Sequence, residues 1–146
     1  MPHRKILVVE DASAVAQTLT LILRHEGYYA ATAHSGEDAV WLARSFQPDL
    51  VVGDVEMGTV DGVEAAMEIR RFLPHCEVLF VSGTATWEDY LAKARAEGYG
   101  FELLAKPIPP PELLAKISQT LSSPGRQRVR LKLIRGYLGS AKTSAN

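Results

Sequence analysis

Glu10 and Asp11 follow the apolar run Ile6-Leu7-Val8-Val9, and Asp54 follows Leu50-Val51-Val52-Gly53. Ser82 closes the run that starts at Val78, and Lys106 follows Leu103-Leu104-Ala105. Three carboxylates gathered in one place repel one another, and a raised pKa, hydrogen-bond donors or a bound hard cation relieves the repulsion. Magnesium suits such a cluster because it takes oxygen ligands in octahedral geometry and keeps several waters; manganese accepts the same donors. Lys106 would supply further positive charge. A carboxylate flanked by a divalent cation and an ammonium can attack a phosphoryl group, since both cations stabilise charge on the transferred oxygens. Each residue also has a plainer role. The acidic pair could begin a solvated loop, Ser82 could sit in a turn, Lys106 before Pro107 could be a surface lysine, and Asp54 could cap backbone amides. Their coincidence at four run ends is what argues for a site.

Such a site requires elements that bring those ends together. The runs Ile6 to Val9, Leu50 to Val52, Val78 to Val81 and Phe101 to Ala105 predict strands buried on both faces, with Tyr28 to Ala33 as a weaker fifth. Helical spacing fills the intervals. Val15, Leu19, Ile22 and Leu23 follow a cap at Ser13 and stop before Gly27, while Ala39, Val40, Ala43 and Phe46 follow a cap at Ser35. Val63, Ala66 and Met67 follow Gly62. Thr86 with Asp89 resembles a capping box for a fourth helix ending near Gly98, and Leu113, Leu114, Ile117 and Leu121 mark a fifth. Alternating strands and helices predict a doubly wound α/β sheet of parallel strands, with ligands beyond the carboxyl ends of the strands. Periodicity leaves the strand order open.

Composition removes several alternatives. With 146 residues, 47% hydrophobic and 23% charged, the chain has the make-up of one globular domain. Cys76 is the sole cysteine, so neither an internal disulfide nor a cysteine-based zinc site is available, and a reducing cytoplasm is the expected setting. His3, His25, His34 and His75 are scattered and are expected to be exposed rather than metal-bound. No apolar run approaches the roughly 18 residues of a membrane span, and the early acidic residues argue against a signal peptide. The 16 basic and 17 acidic residues nearly cancel, which makes nucleic acid an unlikely partner for the whole chain. They are unevenly placed, however. Residues 1–122 carry 10 basic and 17 acidic side chains, whereas 123–146 carry Arg126, Arg128, Arg130, Lys132, Arg135 and Lys142 and no acid. The expected division is a domain over 1–122 and a basic tail over 123–146. In Arg128-Val129-Arg130-Leu131-Lys132-Leu133, cations alternate with apolar groups, as on an extended strand. The tail could be a solvated end, could dock on the acidic domain or a second protomer, or could make a weak nucleic-acid or membrane contact.

The chain resembles the receiver domain of two-component response regulators over residues 4 to 122. The resemblance lies in Lys5-Ile6-Leu7-Val8-Val9-Glu10-Asp11, Pro48-Asp49-Leu50-Val51-Val52-Gly53-Asp54, Val55-Glu56-Met57 with Asp61-Gly62, Val81-Ser82-Gly83 and Leu103-Leu104-Ala105-Lys106-Pro107. It implies a flavodoxin-like five-stranded parallel sheet in the order 2-1-3-4-5 with five helices. Chemotaxis receivers have that order, and it comes from the resemblance, not from periodicity. The resemblance further implies Asp54 as phosphoacceptor, and Glu10, Asp11, Asp54 and the backbone carbonyl of Glu56 as ligands of magnesium or manganese. Lys106 would contact the phosphoryl group, and Ser82 would be the switch hydroxyl, with Gly83 keeping its approach open. The implied donor is a phosphohistidine on a sensor histidine kinase or phosphotransfer protein. The output would be contact with a protein partner, with an output domain of a longer polypeptide, or with a second copy in a homodimer.

The pattern departs from the family in places. Leu103 stands where an aromatic switch residue is usual; a one-residue bulge would be needed for Phe101 to replace it. Gly58 stands where proline is common, and Glu56 adds a carboxylate near the acceptor. Trp87, Tyr90 and Leu91 are candidate partner contacts on the fourth helix. A receiver would turn over no exogenous substrate, its acyl phosphate being lost slowly. Two alternatives stand beside it: a pseudo-receiver that binds without phosphotransfer, and a phosphohydrolase of the haloacid dehalogenase type, faintly echoed in Asp54-Val55-Glu56.

Overall fold

The computed structural model describes residues 3–54, 61–83 and 87–122. Strands and helices alternate: β1 (Lys5–Val9), α1 (Ser13–His25), β2 (Tyr29–Ala33), α2 (Gly36–Phe46), β3 (Leu50–Gly53), α3 (Gly62–Phe72), β4 (Glu77–Ser82), α4 (Trp87–Ala96), β5 (Glu102–Ala105) and α5 (Pro110–Leu121). The strands form one parallel sheet in the order β2-β1-β3-β4-β5. The apolar runs of β1, β3 and β4 occupy its centre, which is why they lack polar alternation: both faces are covered. Ile6, Val8, Leu50, Val52, Leu79 and Val81 pack beneath α1 and α5. Leu7, Val9, Val51, Val78 and Phe80 point the other way, towards α2, α3 and α4. The edge strand β5 is only half covered.

Local chemistry sets the helix ends. Ser35 caps α2 by accepting the Asp38 amide at 3.0 Å, as its position predicts. Asp61 does the same for α3, taking the Glu64 amide at 2.8 Å. Asp61 and Glu64 carry the spacing of a capping box, a signal that the apolar stripe of α3 does not contain. Ser13 is not the cap of α1. It is the first helical residue, and Ala12 holds the cap position, its amide turned back to Glu10 Oε2 at 3.2 Å. Thr86 lies outside the described residues. Past α1, Gly27 takes φ +97°, a conformation that turns the chain into β2 and strains any residue with a Cβ.

Gly53 permits a close approach. A Cβ there would lie 3.0 Å from the Cβ of Val9 and 3.0 Å from its carbonyl oxygen, tight enough that β1 would have to give way by a few tenths of an ångström. Gly53→Ala should therefore destabilise the fold by about 1–3 kcal/mol through overpacking. Urea unfolding checks this: the midpoint falls while the slope stays that of the parent.

The register of β4 and β5 overturns the idea that Phe101 replaces the missing aromatic. Leu79, Phe80, Val81 and Ser82 pair in unbroken succession with Glu102, Leu103, Leu104 and Ala105, leaving no bulge. Phe101 precedes the strand, at the end away from Lys106. There its ring meets Phe80 edge-on at 5.6 Å, stacks on Tyr99 at 5.6 Å and lies 5.2 Å from the Arg70 guanidinium. Leu91, a candidate surface contact by its position, belongs instead to the core. The side chains of Trp87 and Tyr90 are outside the described set.

Candidate functional site

Because all five strands run parallel, their carboxyl ends share one edge of the sheet, and the singled-out residues collect there. Glu10 and Asp11 leave β1, Asp54 leaves β3, Ser82 ends β4 and Lys106 leaves β5. Lys106 Nζ lies 3.2 Å from Asp54 Oδ2, with the lysine side chain 41% and the aspartate 22% exposed. This ion pair spans the ends of β3 and β5, across β4. Ser82 is buried, and its carbonyl accepts the Lys106 amide at 2.9 Å, which ties the two residues through the backbone. A Cβ on Gly83 would be 3.7 Å from the Cβ of Lys106, an ordinary contact, so the missing side chain leaves room without being demanded by it. The Lys106–Pro107 peptide is cis.

On the other flank, Glu10 is half-buried, and burial raises its pKa above the ordinary 4.5. The Ala12 amide and the charge of Lys106 oppose the rise, while hydrogen bonding and repulsion from Asp11 add to it. The imidazole of His34 also reaches the site's edge. Its Nδ1 donates to the Glu10 carbonyl at 3.2 Å, a placement that follows from β2 lying beside β1 and that periodicity could not reveal. His34 is exposed, as are His3, His25 and His75, which is the exposure expected of all four.

Glu56 and Gly58 lie outside the described residues, so the expected carbonyl ligand and the loosened turn do too. Among the described residues, no three His, Cys, Asp or Glu side chains form a ready-made metal-binding group. The donor chemistry nonetheless suits a hard divalent cation: Glu10, Asp11 and Asp54 are oxygen donors at one sheet edge, and the repulsion between Glu10 and Asp11, a minor cause of the raised Glu10 pKa beside its burial, is one that a cation would relieve. An apolar groove of about 740 Å³ opens beside this edge between α1 and α5, with Glu10, Asp54 and Lys106 among its lining residues.

The sequence pattern of the response regulator receiver domain matches residues 6–118. The chain belongs to this family. Among curated relatives of the receiver, the cell cycle response regulator CtrA of Brucella ovis is 31% identical over 114 residues, covering 77% of the chain and 48% of CtrA. The chain thus spans about half the length of the curated relatives it matches. Among solved structures, the receiver domain from the hybrid histidine kinase CckA is 32% identical with a TM-score of 0.66, covering 80% of this chain and 98% of that one. The response regulator TrrA from Thermotoga maritima, solved in complex with magnesium and beryllium fluoride, is 30% identical with a TM-score of 0.68, covering 80% and 98%. The receiver therefore has the expected fold and strand order and belongs to two-component signalling, whose receiver domains are generally not substrate-turnover enzymes. Among the described residues no helix is long and apolar enough to cross a membrane.

The raised pKa of Glu10 has a definite sign. The folded receiver holds this proton more tightly than the unfolded chain does, so Glu10 contributes stability below its ordinary pKa of 4.5 and loses it as pH rises through the folded value. A divalent cation held by Glu10 would favour the ionised form and reverse that trend. Without metal, the melting temperature of the parent should fall relative to Glu10→Gln as pH is raised from about 4 to about 7; with saturating magnesium the parent should gain on the variant over the same interval. Thermal melts of both proteins with magnesium and with a chelator provide the check.

Proposed function

We infer that this receiver accepts a phosphoryl group on Asp54 and uses it to switch a protein partner. The donor is a phosphohistidine of a sensor histidine kinase or phosphotransfer protein. In the step, an Asp54 carboxylate oxygen attacks phosphorus, the P–O bond forms as the P–N bond breaks, and the electron pair returns to the imidazole, which takes up a proton. Glu10, Asp11, Asp54 and the Glu56 carbonyl would hold the cation, with magnesium or manganese supplying charge stabilisation on the phosphoryl oxygens. Lys106 offers its ammonium to the same oxygens, and the Ser82 hydroxyl is the donor that would turn towards them. Water later hydrolyses the acyl phosphate and resets the site. The observation that carries this reading is the Asp54–Lys106 pair at 3.2 Å beside an acidic pair, within a chain of the receiver family.

The partner is a separate protein, an output domain on the same polypeptide, or a second receiver. With Leu103 in β5, an aromatic rotamer is not the readout; Ser82 and the Lys106 backbone would transmit the change instead. The test is intact-protein mass after incubation with magnesium and a small acyl-phosphate donor. A single phosphoryl adduct that disappears with chelator is expected, with no turnover of an exogenous phosphomonoester. No adduct would favour the pseudo-receiver, and turnover of the phosphomonoester would favour a hydrolase of the haloacid dehalogenase type.

A further inference from the structure

The groove between α1 and α5 is walled by Val15, Leu19 and Ile22 on one side and by Ile108, Leu113 and Leu114 on the other. Val15 is 54% exposed, although it lies on the groove-facing stripe of α1. An apolar trough of about 740 Å³ is more than a surface blemish: its lining shares Glu10, Asp54 and Lys106 with the phosphoryl-transfer site, while its apolar walls have no part in that transfer. We propose that the chain's own segment 127–133 occupies this groove, inserting Val129, Leu131 and Leu133 while Arg128, Arg130 and Lys132 face outward.

Charge, pattern and reach support that occupant. Residues 1–122 carry 10 basic and 17 acidic side chains, whereas the chain from 123 onward has six basic residues and no acid, so the segment is drawn to the body it leaves. Glu10, Asp54 and Lys106 all stand among the groove's lining residues, so the attraction on outward cations is that of the acidic body as a whole rather than of one carboxylate facing each cation. The alternation of 128–133 puts every second side chain on one side of an extended strand, which lets apolar groups enter a trough while the backbone stays at its hydrated rim. Reach is sufficient as well. α5 ends at Leu121, and going back to Leu114 covers about 10 Å of helix. Ser123-Pro124-Gly125 favours a reversal. Residues 126–128 then span about 10 Å when extended, so that Val129 arrives level with Leu114 and Leu133 nears the strand ends. The seated segment would touch Pro107 and Ile108, which directly follow Lys106 and line the groove.

Hydrogen exchange on the full chain tests this without disturbing the core. In the double variant Leu131→Lys, Leu133→Lys, exchange in peptides covering 14–22 and 108–114 should speed up about tenfold. The variant Val15→Lys, at an exposed helical position, should produce a comparable increase in a peptide covering 127–133. Both effects should be independent of protein concentration. Parent-like exchange in both variants would overturn the proposal. Protection in the parent that grows with concentration would overturn it too, because a second copy would then be the occupant.

Discussion

Asp54→Asn should abolish phosphoryl acceptance: with magnesium and an acyl-phosphate donor, the intact mass of the variant should remain that of the unmodified chain. The substitution keeps the shape of the side chain and removes its nucleophilic oxygen pair, because an amide oxygen carries no full negative charge and an amide nitrogen is a poor nucleophile. The loss should not come from unfolding. Asp54 is a partly exposed partner of Lys106, and ion pairs of this kind contribute about 0–1 kcal/mol. The melting temperature should therefore move little while the adduct vanishes. A retained adduct would reject Asp54 as the acceptor and point to another carboxylate at the same edge.

Lys106→Ala should separate acceptance from response. The ammonium lies 3.2 Å from Asp54 Oδ2 and also lowers the proton affinity of Glu10, so its removal takes away the described positive charge nearest the acceptor. Loss of one preoriented donor to developing phosphoryl charge slows transfer on the order of 10²-fold. At long incubation some adduct should still form, but it should no longer alter hydrogen exchange in peptides spanning β4 and β5. Single-turnover mass spectrometry gives the rate and exchange gives the response. A variant that accepts slowly yet shows the parent's exchange change would remove Lys106 from the signalling step.

The strands of the fold and the edge at which the site assembles could be read in the sequence because a parallel sheet leaves an unusual record. Leu50-Val51-Val52 has no polar alternation, since both of its faces are covered, and each such run ends in a chemically conspicuous residue. The strand order could not be read this way, because β1 neighbours both β2 and β3 and nothing in the apolar runs says so. It came from the resemblance alone. The placement of His34 is hidden for the same reason: its contact with the Glu10 carbonyl exists only once β2 and β1 are adjacent. Leu91 misleads in the opposite direction, as an apolar residue on a weakly amphipathic helix can be a docking contact or a core residue, and only packing decides. The role of Phe101 depends on whether β5 holds its register, which is a property of the β4 ladder rather than of the residues before Lys106.

One backbone hydrogen bond bears on how such a domain can respond. The Lys106 amide is held by the Ser82 carbonyl at 2.9 Å, as the last rung of the β4–β5 ladder. The backbones that carry the Ser82 hydroxyl and the Lys106 ammonium thus share one hydrogen-bonded frame. A shift of either strand end that keeps this rung carries the other with it, so on the function proposed above the ends of β4 and β5 would report acceptor occupancy as one mechanical unit, joined through main chain rather than through an aromatic side chain.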